Sequence, residues 1–147
     1  MQPSAVAWLA SPRMPPRIQL PREIHDEIVA HSREDAPNEC CGLIGGTDDR
    51  ASSLHRAENL YPSPMRFEVA NPVPLLRAID EASEELVAIY HSHTRSAAYP
   101  SQTDVNMARG WPDPLWVICS VEEASEPVVR AFSIRDDVVD EVEVEVV

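Results

Sequence analysis

Apolar residues recur along this chain at two spacings, and the switches between them divide it into strands and helices. Residues 17–20 (RIQL) place Ile18 and Leu20 two apart, the period of a strand. Pro21 then stands where a first helical turn tolerates a missing N–H. Ile24, Ile28 and Val29 recur at helical spacing through Asp35, which predicts an amphipathic helix. Residues 41–46 (CGLIGG) form a short apolar run ended by glycines, and 52–60 and 65–69 read as further strands interrupted by Pro62 and Pro64. Pro72 opens a second helical pattern, with Val73, Leu76, Ile79 and Ala82 along one side, before a strand over 86–90. A third helix is expected from about Ser101 to about Arg109, then strands at 115–121 and 128–134. The tail alternates Val142, Val144 and Val146 with Glu141, Glu143 and Glu145, the pattern of a half-buried strand with a solvated acidic face. There is no internal repeat.

Helices alternating with strands predict an α/β fold, a central mixed sheet flanked by helices in two or three layers. A chain of 147 residues fits one domain with a core large enough to need no disulfide staples. Residues 1–16 hold four prolines and no apolar period, so they read as a flexible arm ahead of a domain over 17–147. With 12 basic against 25 acidic side chains, the net charge of −13 argues against a nucleic-acid or anionic-membrane partner. All the basic residues are arginine, which codon usage explains more simply than selection against lysine modification. Cys40 and Cys41 are adjacent and Cys119 is alone, an odd set that fits a reducing compartment rather than a disulfide framework. Residues 5–10 are too short for a signal-peptide core and run into Pro12, Pro15 and Pro16. No apolar run is long enough to span a bilayer, and the expectation is a soluble, cytoplasmic protein.

Within this frame the chemistry concentrates in His91-Ser92-His93, followed seven residues later by Ser101 and then Asp104. A strand arriving through 85–90 presents both imidazoles on one face, because alternate residues share a face. Asp104 then supplies a third ligand. Two imidazoles and one carboxylate leave the fourth position of a tetrahedral zinc open to water, as in catalytic rather than structural sites. The plainer reading of His-x-His is two polar residues near a loop. Ser101-x-x-Asp104 is also a helix capping box, and both readings of it can hold, since a cap would fix Asp104 beside the imidazoles. Competing patterns are missing from the sequence: no His-Glu-x-x-His, no zinc-deaminase signature, no Gly-x-Ser-x-Gly elbow, no phosphate-cradling glycine loop. His25, His31 and His55 lack ligand spacing and read as surface polar residues. Glu39, just before the apolar run 40–44, is a candidate proton acceptor, but by itself it reads more simply as an ordinary surface acid beside fourteen other glutamates, and the residues alone do not decide.

Glu39-Cys40-Cys41-Gly42-Leu43-Ile44-Gly45-Gly46, His91-Ser92-His93, Ser101 and Asp104 together resemble the full JAMM (MPN-plus) metalloprotease signature, with its spacing complete. The resemblance runs from about Arg17 to Ile134 and implies the cytidine-deaminase-like α/β fold of that family. It implies His91, His93 and Asp104 as ligands of one Zn2+ with a bound water, and Glu39 as acid/base. Ser101 would be the donor to the developing oxyanion, a role worth about 3 kcal/mol. Cys40 and Cys41 are then small strand-packing residues. The family's substrates imply hydrolysis after the C-terminal diglycine of a ubiquitin-like protein, whose tail docks on a sheet edge. Residues 90–94, 98–101 and 103–105 are especially similar to bacterial Mec-type enzymes, so the implied partner is a small ubiquitin-like sulfur-carrier protein ending in Gly-Gly. The reaction would release cysteine or trim the tail. Arg95-Ser96-Ala97 departs from that pattern and leaves substrate preference open, as the sequence leaves open a homodimer. The alternatives are a non-catalytic MPN scaffold binding a ubiquitin-like partner, and a cysteine-based redox or sulfur-transfer protein. The first is opposed by the presence of all five positions, the second by the absence of a basic neighbour to activate a thiolate.

Overall fold

β1 (Arg17–Leu20) turns Ile18 and Leu20 fully inward and leaves Arg17 outside, where it pairs with Asp49 at 3.0 Å and Glu145 at 2.9 Å. This computed structural model describes residues 16–122 and 126–147; the arm expected over 1–16 lies outside the described residues except for Pro16. α1 (Arg22–Asp35) buries Ile24, Ile28, His31 and Ser32, a stripe at helical spacing. It stops before Pro37, because the residue preceding a proline is driven to extended backbone, and Ala36 has ψ 140°.

β2 (Cys41–Thr47) and β4 (Glu85–His93) pair antiparallel at the centre of the sheet and are buried on both faces for most of their length. At Gly42 the Tyr90 ring occupies the space a Cβ would need, so the close approach of these strands requires glycine there. β3 (Arg50–Ala57) flanks β2, while β5 (Leu115–Ser120) lies parallel to β4 on its other side. β6 (Val128–Arg135) and β7 (Val138–Val146) continue antiparallel, and β7 returns to pair parallel with β1. The mixed sheet is therefore closed, in the order β1-β3-β2-β4-β5-β6-β7, and its thinnest seam is the single β1–β3 pair Gln19↔Arg50. α1 packs on β1, β3, β4 and β5, and Arg56 of β3 pairs with Glu27 and Glu34 of α1.

Two cores follow from the strand alternation. Ile44, Tyr90, Val117 and Cys119 join Ile18, Leu20, Ile24 and Ile28 beneath α1. Leu43, Ile89, Trp116 and Ile118 join Phe67, Ile79, Val105 and Ala108 on the opposite face, beneath α2 (Val73–Glu81) and α3 (Gln102–Ala108). Each fully buried large apolar side chain contributes about 1.5–3 kcal/mol.

The expected strand over 65–69 is not formed; only an isolated Asn59↔Val69 bridge joins this stretch to its neighbour. Pro62 and Pro64 cannot donate to a ladder, and the Asn59 side chain takes up the backbone groups of Tyr61, Arg66 and Glu68. In the second helix Val73 is exposed and Ala82 lies past the end, so the packed side is Leu75, Leu76 and Ile79. Among the described residues no helix is long and apolar enough to cross a membrane.

Candidate active site

The carboxyl end of β4 brings His91 and His93 to one face, as period two requires, and α3 begins beside it. Ser101 caps that helix: its hydroxyl accepts from Asp104 N–H at 3.1 Å, and Asp104 Oδ2 accepts from Ser101 N–H at 2.9 Å. The box aims Asp104 Oδ2 at both imidazoles, 3.1 Å from His91 Nε2 and 3.1 Å from His93 Nε2, and these nitrogens are themselves 3.1 Å apart. Glu39, two residues ahead of β2, comes in beside β4 with donor atoms of Glu39, His91 and His93 all within 4.8 Å of one another. All five residues expected from the sequence meet here, and Glu39, His91, His93 and Asp104 are each buried.

The donor set fits a metal. Atoms bound at about 2.0–2.1 Å to a tetrahedral zinc lie about 3.3 Å apart, close to the observed triangle. His93 Nδ1–H donates to the Ala97 carbonyl at 2.8 Å, so in the neutral ring Nε2 carries the lone pair that a metal would take. His91 Nδ1 is buried without a partner, so in its neutral form that ring can place its single proton on either nitrogen. With both rings neutral, the two Nε2 atoms and the carboxylate oxygen share at most one proton among three contacts, and a cation suits the site. Glu39 Oε1 is buried without a hydrogen-bond partner, as expected of a carboxylate that meets its partner only when a ligand arrives.

Burial opposes ionisation of Asp104, but the imidazoles and the Ser101 N–H outweigh it and hold the carboxyl well below the usual range. Glu39 goes the other way: burial, against the attraction of His93, pushes it up to about 8. Two buried carboxyls of one site thus divide into a fixed anion and a proton carrier. Burial also pushes the thiols of Cys40 and Cys41 up to about 11 and about 12, so neither is a thiolate at neutral pH. That removes the physical basis of a cysteine-centred reaction.

His31 differs from its expected surface position. It is buried, with Nδ1 2.7 Å from the Tyr90 hydroxyl and Nε2 3.4 Å from Asp35. The spacing Ile24, Ile28, His31 already placed it on the buried stripe of α1. Two other participants escaped the sequence reading. Phe67 stacks on His91 with ring centroids 4.3 Å apart and planes 21° apart, and Asn59 donates to the Glu39 carbonyl at 3.1 Å. Neither carries a spacing signal, because the loop between β3 and α2 folds through side-chain hydrogen bonds.

The model of the prokaryotic homologs of the JAB domain matches residues 21–135. The CysO-cysteine peptidase of Mycobacterium tuberculosis is 36% identical over 129 residues, 85% of this chain and 88% of that protein. The desampylase of Haloferax volcanii is 34% identical over 113 residues, 71% of this chain and 81% of that protein. Among solved structures, protein DSY2949 of Desulfitobacterium hafniense superposes with a TM-score of 0.77 at 32% identity, covering 88% of this chain and 92% of that one. With the donor set converged at the end of β4 and the match running from α1 to β6, the chain belongs to the prokaryotic JAB-domain branch of the JAMM/MPN family.

Proposed function

We propose that this protein is a zinc-dependent peptidase that hydrolyses the amide bond after the C-terminal diglycine of a small ubiquitin-like sulfur-carrier protein. One observation carries the reading: His91 Nε2, His93 Nε2 and Asp104 Oδ2 form a 3.1 Å triangle beside the buried, unpartnered carboxylate oxygen of Glu39. Bound by the triangle, zinc would lower the pKa of a water to about 7 and polarise the scissile carbonyl. In its ionised form, which the positive charge of a bound Zn2+ would favour over the neutral acid that burial favours, Glu39 takes the proton of the attacking water and returns it to the departing amine nitrogen. The Ser101 hydroxyl accepts from Asp104 N–H through its oxygen, which leaves its own proton to donate to the developing oxyanion. Asp104 and His93 are held by Ser101 N–H and the Ala97 carbonyl, so little reorganisation accompanies the reaction.

The loop that carries Phe67 borders the base, since Ser63 C=O accepts from Glu39 N–H at 2.8 Å, and it exposes Leu60, Tyr61 and Met65. These side chains offer apolar contact to the carrier, and glycines at its scissile end permit close backbone approach to a buried site. A relative named for CysO-cysteine supports cysteine as the leaving group; a relative named desampylase supports a protein conjugate as the broader class. The zinc-loaded protein is expected to release cysteine from a carrier–cysteine conjugate, to lose that activity to a chelator and to regain it with zinc. Cleavage that persists after zinc is removed would contradict the proposal.

A further inference from the structure

Asn59 spends its whole hydrogen-bonding capacity on the surroundings of the site. Its Nδ2 donates to the carbonyls of Glu39 and Arg66, each at 3.1 Å. Its Oδ1 accepts from Tyr61 N–H at 3.0 Å and Glu68 N–H at 3.1 Å. A carboxamide has two N–H donors and two acceptor lone pairs, so none is left over. Arg66 and Glu68 flank Phe67, whose ring lies on His91. One side chain therefore grips the backbone of Glu39 on one side of the site and both backbone neighbours of Phe67 on the other. The loop has no helix or regular ladder of its own; Leu60 N–H to Glu68 C=O at 2.8 Å and Ala70 N–H to Glu58 C=O at 3.0 Å close it on either side of the Asn59↔Val69 bridge.

We propose that Asn59 is a positioning residue, which sets Glu39 and the stacked Phe67–His91 pair in a common register. The inference rests on the reading of Glu39 as the base. Asn59 touches no reacting atom and acts through the two groups it connects. The loop is open to solvent on one side, so water can satisfy the groups that a truncated side chain would release. The consequence of its loss is then misplacement rather than unfolding.

Two variants separate the contacts. Asn59→Ala removes all four bonds; Asn59→Asp keeps the acceptors for Tyr61 and Glu68 but loses both donors and sets a carboxylate against the Glu39 and Arg66 carbonyls. The readout is the carbon-bound ring protons of His91 in histidine-labelled full-length protein, with and without zinc, which Phe67 shifts upfield. Phe67→Leu gives the limit of lost stacking. Asn59→Ala is expected to move these signals toward that limit, and Asn59→Asp part of the way, while the Tyr90 signals, in the core on the opposite face of the sheet, stay in place. Ser63→Ala, which removes only the bond from Met65 N–H, should leave His91 unchanged. With the carrier–cysteine conjugate, kcat is expected to fall about tenfold in Asn59→Ala with KM within about twofold, the cost of a misplaced base. Wild-type His91 signals in both Asn59 variants, with the core signals intact, would overturn the proposal. The ring shift is read without substrate, so a wild-type protein inactive on the conjugate would remove the proposed reaction and leave the positioning claim to be decided by the shift.

Discussion

Glu39 owes its chemistry to where it is buried. Its carboxyl, pushed up to about 8 by burial, stands among two imidazoles and a second carboxylate that stays ionised. Glu39→Gln keeps the shape and loses the proton acceptor, so kcat should fall by about 10²–10⁴-fold while zinc binding measured on the same protein is retained. A variant with wild-type kcat would place the base elsewhere. Fifteen glutamates compete in the sequence, and what selects Glu39 among them is the neighbouring of β2 and β4, a tertiary fact that only the family signature made readable. His31 shows the opposite case, a residue whose helical spacing pointed inward while its polarity suggested the surface. Burial lowers its pKa below the 6.5 of an ordinary imidazole. The unfolded chain therefore takes up this proton first as pH falls: the contribution to stability is complete above about pH 6.5 and is lost as pH drops through the lower folded value. Urea midpoints across this range should fall more steeply for wild type than for His31→Gln, and equal slopes would show that His31 is not held neutral.

At the scale of elements, the site is a strand end meeting a helix start. In the proposed zinc site β4 would supply two ligands by its alternation, and α3 the third through the capping box of Ser101 and Asp104. Both devices are local, and for that reason both could be read from the sequence. Ser101→Ala is expected to lose twice: about 1 kcal/mol of cap stability, seen as a lower melting temperature, and about 10²–10³-fold in kcat through the missing oxyanion donor. Ser101→Thr, which can cap, should recover the stability term. A Ser101→Ala protein that melts lower but turns over like wild type would reduce Ser101 to a cap. The boundaries of β1, α1 and β2 came through within a residue or two because their apolar periods are clean. The misread segment, 65–69, shows why pattern is not enough: its apolar residues suggest a strand, yet prolines and the Asn59 carboxamide draw its backbone into a loop. Phe67 is thereby delivered to His91.

At the scale of the molecule, a mixed sheet with a core on each face places the site at the end of its central strands, between β2, β4 and α3. Alternation of helices and strands foretold the layers but not the closure. Closure depends on β1 pairing parallel with β7, a four-residue and a nine-residue strand at opposite ends of the domain whose register no local pattern encodes. The net charge of −13 would suit a partner with a basic face, a matter of encounter rather than chemistry. If this fold presents a zinc site to a diglycine tail, as proposed, the intact mass of a sulfur-carrier protein bearing a C-terminal extension will report it. It would be measured before and after treatment with zinc-loaded wild type and with Glu39→Gln. Trimming that stops at the diglycine is expected with wild type and an unchanged mass with the variant; cleavage elsewhere in the tail, or equal trimming by both proteins, would overturn the proposed reaction.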